Sequence, residues 1–285
     1  MEWPVSAFAD EAGMESTQQI ASLKRAGLKH IDIRSINDFN ITQLPLEQAQ
    51  DIKRQLDEAG LTVQMYGTPI GKIDIADDFE IDLQKLRHVG EVAPVFGCNA
   101  VRIFSYYNKE NVSYDQWKEA SLSRLRQLRD EAEKLGLVLY HENEKHIFGD
   151  LCANVLAIAE LRNDSFKLIF DFDNYNQSGE IVLENWQKLR DVTDSFHLKD
   201  SKGNQHTPAG QGDGCIREIL SDAVARGWNG PVAIEPHLSH SGAVAGTGPS
   251  GVANEAYANM PLPESFHVAC ETAVALLNEV GVEVA

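Results

Sequence analysis

Four stretches decide the fold: Tyr140-His141-Glu142-Asn143, Phe170-Asp171-Phe172-Asp173-Asn174, Phe196-His197-Leu198-Lys199-Asp200 and Ala233-Ile234-Glu235-Pro236. Each is a short apolar run that ends in a residue able to bind a metal ion. Helix-forming sequence separates each from the next. Apolar strands that end in polar side chains, with a helix after each, are what a parallel barrel presents at its C-terminal rim. On that reading Glu142, Asp171, His197 and Glu235 converge on one point.

A second pattern extends the first along the chain. An amphipathic stretch ends at a glycine and a short apolar strand follows, at Ala26-Gly27-Leu28, Ala59-Gly60-Leu61, Phe96-Gly97-Cys98, Leu135-Gly136-Leu137 and Arg226-Gly227-Trp228. Glycine suits the left-handed residue just past a helix end, and helix-to-strand links in such units are short. Strands are expected at 4–9, 30–34, 62–66, 100–104, 138–142, 167–171, 195–198 and 232–235, each bounded by turn-forming residues. Ser16-Thr17-Gln18-Gln19 reads as a capping box. Ile52 and Leu56 form a buried stripe on a helix over 48–59, as do Leu122, Leu125 and Leu128 on one over 115–135.

Strand and helix alternate to the end of the chain, which predicts an α/β protein, a single (β/α)8 TIM barrel domain over residues 1–285. An open doubly wound sheet would carry a glycine-rich dinucleotide turn after its first strand. Here that turn reads Phe8-Ala9-Asp10-Glu11-Ala12-Gly13, without GxGxxG. The glycine-, alanine- and proline-rich segment 239–263 follows the eighth strand, and reads equally as a mobile lid or a solvated loop.

Composition narrows the function. The 285 residues carry 43 acidic and 25 basic side chains, a formal net charge of -18. Such a surface repels phosphate backbones, so no nucleic-acid partner is expected. The 43% hydrophobic content supports a large core. Cys98, Cys152, Cys215 and Cys270 are far apart, form no CxxC pair and read as free thiols. The N-terminus shows no signal-peptide pattern, and no segment is apolar enough to span a membrane. A cytoplasmic protein with no membrane partner is the expectation.

A strand-end carboxylate taken alone is more often a helix cap than a ligand. Four ligand types on four successive strands shift that balance. Three oxygen donors and one nitrogen suit one divalent ion, manganese, magnesium, cobalt or zinc, and the lack of thiolate argues against a structural zinc site. Asp173 and Glu144 share the strand faces of Asp171 and Glu142. The apolar run leads directly into Asp171 and Glu142, so these two are the candidates.

Other residues carry open alternatives. Lys199 shares the His197 face and either neutralises developing negative charge or pairs with Asp200 or Asp171. Arg102 either binds substrate oxygens or fills a barrel layer as an ion pair. His237 and His141 neighbour the candidate ligands and either line the rim or only support those ligands from behind. Tyr66, Phe8 and Trp228 serve as apolar walls for a substrate or as core. In loop 206–214, the amides of Gly210, Gly212 and Gly214 offer a phosphate cradle.

The chain resembles the xylose isomerase-like barrel superfamily of sugar isomerases, sugar 3-epimerases and related dehydratases. The resemblance rests on Glu142-Asn143, the Asp-x-x-Asn of Asp171 and Asn174, the His-x-Lys-Asp of His197, Lys199 and Asp200, and Ile234-Glu235. The run Gly67-Thr68-Pro69-Ile70-Gly71-Lys72-Ile73-Asp74 resembles a branch described as sugar phosphate isomerase or epimerase. The resemblance implies that Glu142, Asp171, His197 and Glu235 hold one divalent metal ion and that Glu142 and Glu235 form the acid/base pair. Lys199, Asn174, Arg102 and His237 would bind substrate. Characterised epimerases often have histidine where Asn174 stands and an arginine where this chain has Gly203.

The function this implies is isomerisation or epimerisation of a sugar or sugar phosphate through an enediolate. The alternative on the same scaffold is a dehydratase of a cyclic polyol or keto acid. A DNA-repair phosphodiesterase of this superfamily would need more strand-end histidines and a less acidic surface. A non-catalytic sugar-binding protein would not need the two glutamates. A homo-oligomer is in keeping with such relatives, although no sequence feature demands one.

Overall fold

Eight short parallel strands close on themselves in the computed structural model, which describes residues 1–203, 205–241 and 254–284. They are β1 (Val5–Ala7), β2 (His30–Ile33), β3 (Thr62–Gly67), β4 (Ala100–Ile103), β5 (Val138–Glu142), β6 (Phe166–Asp171), β7 (Ser195–Leu198) and β8 (Val232–Ile234). Each pairs with its sequence neighbour, and β8 pairs with β1, which closes the barrel. All eight expected strands are present, two with the expected bounds and the others with ends shifted by at most two residues. The family of fold is therefore the (β/α)8 barrel read from the sequence.

The helices are α1 (Ser16–Ala26), α2 (Leu46–Ala59), α3 (Glu80–Phe96), α4 (Tyr114–Leu135), α5 (Cys152–Ala159), α6 (Phe172–Gln177), α7 (Val182–Leu189), α8 (Ile216–Ala225) and α9 (Leu262–Glu279). Gly27, Gly60, Gly97 and Gly136 end the first four in the left-handed conformation, as their positions predicted. Ile52 and Leu56 on α2, and Leu122, Leu125 and Leu128 on α4, are buried. The capping box of α1 lies one residue earlier than expected: Glu15 is the cap and Gln18 accepts its backbone N–H. Ser16 is instead the first helical residue, and its hydroxyl donates to Gln55. Residues 242–253 of the 239–263 segment lie outside the described residues.

Strand alternation sorts side chains between two cores. Outward-facing Phe170 and Phe196 pack on Trp186 of α7, with ring centroids 5.7 and 5.5 Å away. Phe196 also stacks on Trp228 at 4.3 Å, and the Trp228 carbonyl accepts from the Trp3 indole. Trp228 therefore belongs to this core and not to a sugar-binding wall. Tyr66 has the same fate: its hydroxyl turns outward and donates to the Cys98 carbonyl. All four cysteines are free, as expected. No described helix is long and apolar enough to cross a membrane.

The inward layer below the rim is unusually polar. Asp32 of β2 is 1% exposed, and neither of its carboxylate oxygens has a hydrogen-bond partner. Burial pushes its carboxyl up to about 6 from the ordinary 3.8. The folded state then holds a proton that the unfolded chain releases, so this residue contributes stability below the unfolded value and loses it as pH rises through about 6. Asp32→Asn should stabilise the protein by on the order of 2 kcal/mol near pH 8 and by nothing near pH 4. Denaturant unfolding of both proteins at the two pH values measures this. Equal effects at both would contradict it.

Candidate metal centre and active site

Glu142 and Asp171 are the last residues of β5 and β6, His197 lies in β7, and Glu235 follows the last residue of β8. Parallel register sets His197 opposite Asp171, and the Glu235 amide donates to the Leu198 carbonyl (3.1 Å). One ligand atom from each of the four residues lies within 4.8 Å of the others. All four are buried. Glu142 and Asp171 enter this cluster, whereas Glu144 pairs with Lys72 (3.0 Å) and Asp173 faces His206 (3.3 Å).

The donor set suits a divalent cation. His197 uses Nδ1 on Glu142 (2.9 Å), while its Nε2 is buried with no partner. Glu142 Oε2 and Asp171 Oδ2 receive no hydrogen bond and meet only ion-pair contacts. Buried polar atoms are rarely left this way unless something else satisfies them. Oxygen-rich ligation with one imidazole fits manganese, magnesium, cobalt or zinc.

Three cations surround the carboxylates. Lys199 Nζ lies 3.0 Å from Glu235, 3.3 Å from Asp171 and 3.0 Å from Asn174 Oδ1. Arg102 Nη1 lies 3.3 Å from Glu142 and 3.4 Å from Glu235. Arg34 reaches Glu235 with Nη1 (3.4 Å) and grips Asp10 with Nε (2.8 Å) and Nη2 (2.9 Å). Phe8 makes room for both guanidinium groups, each about 5.0 Å from its ring centroid. Gly67 is what permits this, since a Cβ there would meet Phe8 at 2.5 Å and Arg34 at 3.1 Å.

Electrostatics divides the three acids. Burial opposes the charged form of Glu142, but His197 and Arg102 outweigh it and hold the carboxyl down at about 2. Burial likewise opposes Glu235, and Lys199, His237 and Arg102 hold it well below the usual carboxylate range. Asp171 goes the other way: burial pushes it up, Lys199 counters, and repulsion from Glu142 and Glu235 adds to the rise. Asp171 is thus the one of the three acids that most readily takes up a proton.

A set of amides holds Asp171 in place. Asn143 exchanges two hydrogen bonds with the Asp171 backbone (2.8 and 3.0 Å), and the Asn174 amide group donates to the Asn143 carbonyl (2.9 Å). The Asn174 backbone N–H donates to Asp171 Oδ1 (2.7 Å). Asn174 therefore touches the site through Lys199.

His237 also stands at the site, clamped by a residue the sequence reading left without a role. Glu11 accepts the His237 backbone N–H (2.7 Å), faces its Nδ1 (2.9 Å) and pairs with Arg34 (3.1 Å). His237 is left-handed, with φ 49, an uncommon state for a non-glycine residue. Asp10, Glu11 and Arg34 form this second ring. Their signal was the same as for the four candidate ligands, polar residues at or just past strand ends. His141 is not at the rim. It is fully buried behind β5 against Gly149, both ring nitrogens lack partners, and burial lowers its pKa to about 3.

The glycine-rich loop does not offer a phosphate cradle. The amides of Gly210, Gly212 and Gly214 all donate to the Asp200 carboxylate, at 2.9, 2.8 and 3.0 Å. Asp200 thereby anchors the loop beside the barrel and pairs with neither Lys199 nor another cation among the described contacts. The Ser201 amide donates to the same carboxylate (3.0 Å), so Asp200→Ala would leave four amides without this acceptor, two of them buried. Destabilisation by roughly 2–4 kcal/mol is expected, with protease cleavage concentrated at 205–215. An unfolding midpoint unchanged from the parent would contradict this assignment.

Comparison with known proteins agrees with this architecture. A model of the xylose isomerase-like TIM barrel family matches residues 20–256. Among solved structures, a D-psicose 3-epimerase crystallised with D-fructose is 13% identical, with TM-score 0.73 over 97% of this chain and 99% of that one. The IOLI protein with a bound zinc atom is also 13% identical, with TM-score 0.73 over 97% and 98%. The probable 3-DHS dehydratase AsbF of Bacillus anthracis is 15% identical, with TM-score 0.68 over 96% and 98%. No curated protein matches by sequence. With its family model covering most of its length, the chain belongs to the xylose isomerase-like TIM barrel family.

Proposed function

We propose that the protein is a divalent-metal-dependent isomerase or epimerase of a sugar, with Glu142, Asp171, His197 and Glu235 as metal ligands and Glu142 and Glu235 as the acid/base pair. The observation that carries this is the buried cluster of three carboxylates and an imidazole with an unpartnered Nε2. When bound, a divalent ion supplies Lewis acidity that stabilises negative charge on adjacent substrate oxygens.

The residues supply the rest. Glu142 and Glu235 are both held ionised, so either can take the proton from the carbon next to a carbonyl. They come from β5 and the end of β8, on different sides of the cluster. One abstracts the proton and becomes a neutral acid, while the other, once it has taken up a proton from solvent, delivers that proton to the opposite face and returns to the carboxylate, which epimerises the carbon. Return to the neighbouring carbon isomerises the sugar instead. Lys199 and Arg102 stand beside these carboxylates and offset the charge of the enediolate. Asn174 holds Lys199 in place, and His237 offers a further contact for substrate oxygens.

A dehydratase is the second reading, motivated by His237. Loss of a hydroxyl needs a proton donor, and His237 is an imidazole held at the site by Glu11, which also pairs with Arg34 beside Glu235. Product mass distinguishes the two reactions by one water.

Exchange of solvent deuterium into the carbon next to the carbonyl, followed by NMR over a panel of ketoses, tests the proposal. Glu142→Gln and Glu235→Gln should each lower kcat by about 10²–10⁴-fold. Full exchange activity in either variant would refute the acid/base assignment.

A further inference from the structure

We infer that His206, oriented by Asp173, is a further substrate-contacting residue, whose Nε2 accepts a hydrogen bond from a substrate hydroxyl away from the carbons that react. The inference deepens the proposed function and rests on it. It gives a role to a buried imidazole that neither the metal centre nor the acid/base pair uses.

A hairpin that follows β7 carries His206. Its strands, Asp200–Lys202 and Gln205–Thr207, set His206 opposite Ser201. Ser201 fastens the hairpin to α6: the Asn176 side-chain amide donates to its carbonyl and to its hydroxyl oxygen (3.1 Å each), and the Ser201 hydroxyl donates to Asp173. The Asp213 N–H donates to the same carbonyl from the glycine-rich loop (2.9 Å). The fold thus fixes the place of the His206 ring, and only 1% of the residue is exposed.

Which nitrogen carries the hydrogen follows from what meets Asp173. This buried carboxylate accepts from the Ser201 hydroxyl and from the Gln177 side-chain amide, whose oxygen in turn accepts from Lys145 Nζ. His206 Nδ1 is a third group facing it, 3.3 Å from Oδ2. A carboxylate only accepts, so the nitrogen turned to it carries the hydrogen. The contact is longer than a well-formed hydrogen bond, as contacts at a reacting site often are until substrate tightens them. Burial lowers the pKa of this imidazole, which favours the neutral ring. Nε2 is then a bare acceptor. It is buried and meets no hydrogen-bond donor among the described residues, and buried polar atoms are rarely left without a partner.

The neighbouring ring is built the same way. His237 turns Nδ1 to Glu11 (2.9 Å), so its own Nε2 is likewise the acceptor. The two rings meet edge to face, with centroids 5.4 Å apart and planes at 79°. One imidazole comes from the end of β8 and the other from the hairpin after β7. Two such acceptors suit hydroxyl groups, which have a hydrogen to give. An ether or a deoxy carbon at the same place has none, so the pair selects for a hydroxylated end of the substrate.

NMR of the imidazole nitrogens and steady-state kinetics test this together. Near neutral pH the wild-type His206 ring should carry its proton on Nδ1 and none on Nε2. In the deuterium-exchange assay over D-fructose, D-tagatose, D-sorbose and D-xylulose, His206→Phe should raise KM for the ketose that exchanges best by about tenfold or more. Its kcat should fall far less than that of Glu142→Gln. His206→Ala takes its place if that variant does not fold. His206→Gln, which returns an acceptor, should recover part of the loss, whereas a merely structural role would make KM follow the unfolding midpoint of each variant. A proton on Nε2, or a KM in His206→Phe equal to that of the wild type, would overturn the inference. A wild type that exchanges none of these ketoses refutes the proposed function, and the substrate contact falls with it; the tautomer then still decides whether Asp173 orients His206.

Discussion

Negative charge packed out of water is the constraint on which the structure depends. Glu142, Asp171 and Glu235 point into one closed end of the barrel, with ligand atoms inside 4.8 Å of one another. Like charges at that range in a low-dielectric setting repel strongly. The surrounding residues are placed in answer to that repulsion. Lys199 and Arg102 bridge pairs of carboxylates, Arg34 joins the ring from β2, and Glu11 ties His237 to the same network. Asp171, pushed up by burial and by its two neighbours, registers the charge that remains.

The barrel makes this arrangement affordable in geometric terms. Neighbouring parallel strands hold their inward residues at one level, as His197 and Asp171 show. Outward residues such as Phe170 and Phe196 bury large aromatic surface against α7 and the Trp3–Trp228 pair. Stability therefore comes mainly from the layer between strands and helices, while the rim carries the polar chemistry. The amide links from Asn143 and Asn174 hold Asp171 from the loops, independently of any ion.

What could be read in the sequence had a local cause. A strand that must face both a helix layer and a rim is apolar until its last residue, so Phe170-Asp171 and Ile234-Glu235 announced themselves. Glycine past a helix end is likewise a local need, which made the first four helix ends plain. What escaped reading was non-local. Glu11 meets His237 and Arg34 meets Glu235 only because β8 pairs with β1, which in turn pairs with β2, and no window of sequence reveals this. The loop of Gly210, Gly212 and Gly214 looked like an anion cradle, and it is one. Its anion is the carboxylate of Asp200, and only the fold shows that the cradle is filled. His141 sits one residue from Glu142, but strand alternation sends it to the opposite side of the sheet.

Metal content is the measurement that bears most directly on the centre of this description. Protein dialysed against manganese, magnesium, cobalt and zinc in turn, then analysed for each element beside a His197→Ala variant, should retain about one equivalent of at least one of them. The variant should lose most of it. A wild type that retains none of the four metals, or a variant that binds as well as the wild type, would contradict the assignment of Glu142, Asp171, His197 and Glu235 as a metal centre.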